Sequence, residues 1–89
     1  VIIQSDGYLE LDIASITVCP LTSEQVEAPV LRQAVIPSQD NGLNRLSYLM
    51  VDKVFTVPAN RVGRAIGTLA HGDIARLDRA LMIFLGLSD

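Results

Sequence analysis

The feature that most constrains this chain is a stretch of helical periodicity at its C-terminal end. From Asp73 to Leu87, the apolar residues Ile74, Leu77, Leu81, Phe84 and Leu85 recur on one face, and Asp73, Arg76, Asp78 and Arg79 fall mostly on the other. Such a stripe must bury against something. What precedes it is β-type: short runs rich in Val, Ile and Thr, separated by turn residues. The pattern predicts a mainly β fold, a small sheet of about five strands closed by the C-terminal helix, with Gly86 as its stop. At 89 residues the chain makes one domain, with a single core and at most one active surface.

Residues 1–5 (Val1-Ile2-Ile3-Gln4-Ser5) read as a strand that is apolar from its first residue, without a signal-peptide pattern, so further residues are expected upstream. Asp6-Gly7 ends it. A central strand is predicted over residues 13–22, where the β-branched Ile16, Thr17 and Val18 suit a buried pleat. It gives way to Thr22-Ser23-Glu24, where the chain leaves the sheet. Leu31 to Pro37 reads as a third strand, and Ser38-Gln39-Asp40-Asn41-Gly42 as a turn. Leu46 to Val57 reads as the longest strand, apolar except for Asp52 and Lys53. Pro58 to Val62 is a turn or short helical piece, and Ala65 to Leu69 a short final strand.

Hydrophobic residues make up 49% of the chain, yet no apolar run approaches the roughly 18 residues of a membrane span. A soluble chain with an apolar surplus is expected, part of it placed in a subunit interface. The single cysteine, Cys19, has no partner for an internal disulfide, which fits a reducing cytoplasm, and it reads as a small core hydrophobe. The net charge of -3 has the wrong sign for a general polyanion binder. Its distribution is uneven: residues 1–30 carry five acidic and no basic side chains, whereas residues 31–89 carry seven basic against five acidic. A local basic groove is compatible with that asymmetry.

Few residues offer chemistry. One His, one Cys and no carboxylate pair at ligand spacing argue against a metal centre, and no cofactor is expected. Val62-Gly63-Arg64-Ala65-Ile66-Gly67 has glycines without the strand-to-helix setting of a phosphate loop, so a turn with close backbone approach is the simpler reading. His71, in the turn before the helix, can act as an acid or base in principle but reads more simply as exposed. Thr22 and Ser23 can donate to and accept from a phosphate or sugar hydroxyl, although such a pair by itself more often ends a strand or caps a turn. Asp52 can orient a hydroxyl or an arginine and Lys53 can meet a phosphate; an internal ion pair or a dimer contact explains them equally well.

Taken as a series, Val1-Ile-Ile-Gln-Ser-Asp6, Ile16-Thr-Val-Cys-Pro-Leu-Thr-Ser23, Asn41-Gly42, Leu49-Met-Val-Asp-Lys53, Thr56-Val-Pro58, Arg61-Val-Gly63 and Ile66-Gly-Thr-Leu69, followed by the helix, resemble the MazF/PemK (Kid) family of toxin ribonucleases. The resemblance implies an SH3-like twisted small barrel with the C-terminal helix packed on it, a homodimer, and metal-independent cleavage of single-stranded mRNA at short motifs. It also implies an antitoxin partner whose extended C-terminal segment covers the RNA groove. Thr22 falls on the family's active-site threonine. Ser23, Gln4, Asp52 and Lys53 become candidate substrate contacts. Family members usually carry an Arg-Pro just before the segment matching Val1, and that arginine, regarded as the principal catalytic cation, is not in this sequence. Residues 1–89 therefore read as one toxin-like domain without the family's N-terminal strand and loop, and severely impaired or absent cleavage is expected of a chain that starts at Val1. Ala70-His71-Gly72 replaces the Ser-Pro cap of many members, weakening the helix start by about 1 kcal/mol.

Two alternatives remain at this level. A gyrase poison of the CcdB type is echoed by Gln4-Ser5-Asp6, Val57-Pro58 and Phe84-Leu85-Gly86-Leu87, but the sequence has no Trp to match that toxin's C-terminal tryptophan. The other is a catalytically inactive remnant that dimerises and binds antitoxin.

Overall fold

The computed structural model describes residues 1–3, 14–25 and 31–87. Among the described residues, five strands, β1 (Ser15–Val18), β2 (Leu21–Thr22), β3 (Arg32–Val35), β4 (Ser47–Met50) and β5 (Phe55–Pro58), precede the helix α1 (His71–Phe84). The mainly β fold with a C-terminal helix is as the sequence predicts. The strands divide between two antiparallel sheets, β1-β5 and β2-β4-β3.

That division corrects two strand predictions. Residues 13–22 are not one strand: β1 and β2 lie in different sheets, separated at Cys19-Pro20. Pro20 has no N–H to continue a ladder, although its carbonyl still accepts from the Met50 N–H at 2.9 Å. Nor is Leu46 to Val57 continuous. A 3₁₀ turn at Val51–Lys53 separates β4 from β5. Between the Val18–Phe55 pair and the Pro20–Met50 contact, one strand advances by Cys19 alone and the other by residues 51–54. The surplus is taken up as the turn, which drops Val51 into the core and puts Asp52 and Lys53 outside it. A charge pair in mid-strand is thus accommodated by a bulge-like corner, not by burial.

In the two-stranded sheet, β1 pairs with β5 from Ser15↔Pro58 to Val18↔Phe55. On its other side, Ile2 bridges to Val18, and the Ile3 N–H donates to the Thr17 carbonyl at 3.1 Å. In the three-stranded sheet β4 is central, with Leu21↔Leu49 and Thr22↔Tyr48 on one side and Arg32↔Met50 through Val35↔Ser47 on the other. Cys19, Val35, Leu49, Val51 and Leu77 form the buried core.

The turn at 38–42 is held by the buried Asn41, whose Oδ1 accepts from the Ser38 and Leu43 N–H groups, each at 3.0 Å, while its Nδ2 donates to the Ile36 carbonyl at 2.9 Å. Residues 65–69, expected as a strand, belong to none. They lie against this turn, where the Thr68 N–H donates to the Asp40 carbonyl at 2.7 Å. α1 begins two residues before the predicted Asp73 and has no side-chain cap at Ala70. It ends in a paired C-terminal motif, Gly86 N–H to the Ile83 carbonyl and Leu87 N–H to the Met82 carbonyl. Only part of its predicted stripe is covered: Leu77 is buried, while Phe84 and Leu85 are 46% and 62% exposed.

Candidate functional site

Side chains directly opposite across antiparallel strands share a face, and the face alternates along each strand. Leu21, Leu49 and Gln33 are level with one another. Leu49 is buried, Leu21 packs on the core, and the Gln33 Nε2 donates to the Asp73 carbonyl of α1 at 3.0 Å. That face therefore points toward the core and the helix. Thr22, Tyr48 and Ala34 are level one residue along, and so lie on the outer face, with Met50 and Arg32 in the next row.

Thr22 closes β2 half-buried on this outer face. Its Oγ1 accepts from the Glu24 N–H at 3.2 Å, a short-range turn that stops the strand. The local-cap role and a chemical role are compatible. A hydroxyl whose lone pair is engaged by a backbone N–H keeps its own proton to donate. Ser23 follows in the bend, exposed.

Asp52 and Lys53 sit on the 3₁₀ turn, beyond the Met50 end of β4, whereas Thr22 is level with Tyr48. Asp52 is engaged by Arg32, a residue that the sequence did not single out: Arg32 Nη1 donates to the carboxylate and also, at 3.0 Å, to the Leu31 carbonyl. The Lys53 ammonium is further away, at 3.8 Å, and 62% exposed. Desolvation pushes the Asp52 carboxyl up. The Arg32 hydrogen bond, its own backbone N–H and the charges of Arg32 and Lys53 outweigh it and hold the group below the usual carboxylate range. The expected charge pair thus exists, with Arg32 as the hydrogen-bonding partner. Nothing in the pattern of β3 identified that partner, which lies 20 residues away.

Gln4 lies outside the described residues. His71 opens α1, exposed, on the helix that packs against the opposite face of the sheet. Cys19 is fully buried. Burial pushes its thiol up, which suits a core residue and not a nucleophile. Gly67 makes the close backbone approach expected of it, since a Cβ there would lie 2.3 Å from the Asn41 carbonyl carbon, and Gly63 faces open space. Among the described residues no cluster of three His, Cys, Asp or Glu side chains is assembled. An open groove of about 1180 Å³ runs between residues 1–3 and 62–69, but its lining is largely apolar and does not include Thr22.

The structural neighbours share this arrangement of strands and helix. The Mycobacterium tuberculosis toxin MazF-mt6 superposes with a TM-score of 0.83 at 26% identity, covering 100% of this chain and 86% of that one. An endoribonuclease in complex with its cognate antitoxin, from a mycobacterial species, superposes at 0.79 over 100% of this chain and 81% of that one, and at 19% identity shows likeness of fold. In sequence, the chain is 44% identical over 87 residues to a probable endoribonuclease MazF of Mycolicibacterium smegmatis, covering 98% of this chain and 78% of that protein. Residues 1–85 match the family described as PemK-like, MazF-like toxin of type II toxin-antitoxin systems. With its family pattern matched along nearly its whole length and its strands and helix in the family's arrangement, the chain belongs to the PemK/MazF toxin family.

Proposed function

We propose that this chain is a sequence-selective endoribonuclease that cleaves single-stranded mRNA, with Thr22 at its catalytic centre. The observation that carries the reading is the place of Thr22: the last residue of a strand, on the sheet face turned away from the core, with its hydroxyl oriented by the Glu24 N–H. In the reaction the ribose 2′-oxygen attacks the adjacent phosphorus and the bond to the 5′-oxygen breaks. One proton leaves the nucleophile and another reaches the leaving oxygen. Because the nucleophile belongs to the RNA, the protein's part is proton transfer and stabilisation of charge on the phosphate, and no metal-bound water is called for. Thr22 donates its O–H to a non-bridging phosphate oxygen. Ser23 and the exposed Lys53 contact flanking phosphates, and Asp52 orients the Arg32 guanidinium.

A cytoplasmic homodimer neutralised by an antitoxin peptide completes the reading. It is supported by the antitoxin-bound neighbour, by the exposed apolar side chains Met82, Ile83, Phe84, Leu85 and Leu87 at the end of α1, and by the lone reduced cysteine. No helix among the described residues is long and apolar enough to cross a membrane. The test is incubation of a long single-stranded RNA with the unaltered chain and with Thr22→Val, which keeps the shape but not the hydroxyl. The same RNA is given to the chain extended upstream by an Arg-Pro segment; discrete cuts, stronger in the extended form and lost when Thr22→Val is made in it, are expected. Equal cutting by both removes Thr22 from the mechanism, and gyrase-dependent DNA breakage in place of RNA cleavage overturns the reading.

A further inference from the structure

Among the described residues, the outer face that carries Thr22 carries one aromatic side chain beside it. Tyr48 lies on the central strand β4, directly across from Thr22 on one side and from Ala34 on the other. Strands are about 4.8 Å apart and opposed Cβ atoms about 5 Å apart, so the two side chains leave the sheet side by side on one face. Ala34 is exposed and too small to cover the ring, and Tyr48 itself is only half-buried. The other aromatics among the described residues are elsewhere: Phe55 on β5 in the two-stranded sheet and Phe84 at the end of α1. Hydrogen-bonded strands on both sides hold the Tyr48 backbone, so the ring stands on the most rigid part of the sheet.

We propose that Tyr48 is a nucleobase platform: its ring stacks the base of a nucleotide next to the scissile phosphate and thereby places that phosphate on the Thr22 hydroxyl. The inference rests on the ribonuclease reading above. Single-stranded RNA is gripped by stacking splayed bases on aromatic side chains, and any base has a face to offer. A ring one strand spacing from the phosphate-binding hydroxyl sets base and phosphate of the same or the adjoining nucleotide in register. Positioning of this kind keeps the 2′-oxygen aligned for attack. The phenol oxygen is not required for stacking, so the ring alone should suffice.

The experiment uses the full chain and a short RNA spanning a position that the chain or its upstream-extended form cuts, made uncleavable by a 2′-deoxyribose there and labelled with fluorescein. Anisotropy gives Kd for the unaltered protein and for Tyr48→Phe, Tyr48→Leu and Tyr48→Ala, each checked for folding by far-UV circular dichroism. The same RNA is then made with an abasic sugar on either side of the scissile phosphate. Tyr48→Ala and Tyr48→Leu should weaken binding by roughly 5- to 150-fold, as loss of one base–aromatic stack implies, and Tyr48→Phe should stay within about threefold. One of the two abasic RNAs should bind the unaltered chain about as poorly as Tyr48→Ala binds the complete RNA, and combining the two changes should add little. Leucine, which keeps the apolar contacts without the ring, separates stacking from packing. If Tyr48→Leu binds like the unaltered chain, or if abasic and alanine losses multiply, the platform is refuted while the ribonuclease reading stands. A chain that neither binds RNA nor, when extended upstream by an Arg-Pro segment, cuts it overturns both.

Discussion

Replacing Gly42 by alanine puts a methyl group where the backbone leaves no room. Gly42 has φ +69°, a left-handed conformation that costs an L-residue about 1 kcal/mol or somewhat more. A Cβ built on it would lie 2.0 Å from the Ile66 carbonyl oxygen and 2.8 Å from its carbon, and these are backbone atoms that cannot rotate aside. Segment 65–69 would have to lift from the turn, and with it goes the bond from the Thr68 N–H to the Asp40 carbonyl, worth about 1 kcal/mol. Together these predict a loss of about 2–4 kcal/mol, a large part of the roughly 5–15 kcal/mol of a typical domain. For a domain of this size that is a fall in Tm of roughly 10–30 °C.

The assay is urea unfolding followed by far-UV circular dichroism, with two internal references. Gly63→Ala meets no heavy atom within 4 Å and has no left-handed backbone to strain, so it should shift stability by no more than about 0.5 kcal/mol. Gly67→Ala lacks the left-handed strain but meets the Asp40 and Asn41 backbone at 2.5 Å or less, so it isolates the steric share. If Gly42→Ala unfolds at the same midpoint as Gly63→Ala, the contact between segment 65–69 and the turn is not part of the folded protein, and the reasoning fails.

Three further outcomes are expected. Leu77→Ala, which removes the one buried side chain of α1, should cost about 2–5 kcal/mol by urea titration, whereas Leu85→Glu should leave the dilute protein folded and shift sedimentation of concentrated protein toward monomer; unchanged sedimentation counts against that end of the helix as a dimer surface. The Asp52 carboxyl is held below its ordinary value by Arg32 in the folded state, so its stabilising effect is fully present above about pH 4 and is lost as pH falls through the depressed folded value. Unfolding measured from pH 5 down to pH 2 should therefore show a shallower acid decline for Asp52→Asn than for the unaltered chain, and parallel curves would mean that the pair with Arg32 contributes nothing.

Much of the local structure is legible residue by residue. Ile16-Thr17-Val18 and Thr56-Val57 form strands because β-branched side chains fit a pleat, Ser38 to Gly42 turns because Asn41 can bond its own neighbours' backbone, and the C-terminal stripe makes a helix through its 3.6-residue period. Sequence pattern and structure part where a local preference meets a corner. The run from Leu46 to Val57 looks continuous because each residue alone tolerates a strand, and only the need to pass from one sheet to the other inserts the turn at Val51–Lys53. Ala65 to Leu69 has strand-forming residues but makes one backbone bond to the 38–42 turn in place of a ladder. The periodicity alone starts the helix two residues late because its first turn, His71-Gly72, carries no capping side chain to mark it.

The class of fold, the family pattern and the candidacy of Thr22 follow from residue types and their order along the chain. Tertiary structure alone decided which side chains meet: Arg32 with Asp52, and Thr22 beside Tyr48 on a face turned away from the helix. The physical reason is register. A strand's period of two says that alternate residues share a face, but which face, and opposite whom, is set by how distant strands pair across the whole sheet.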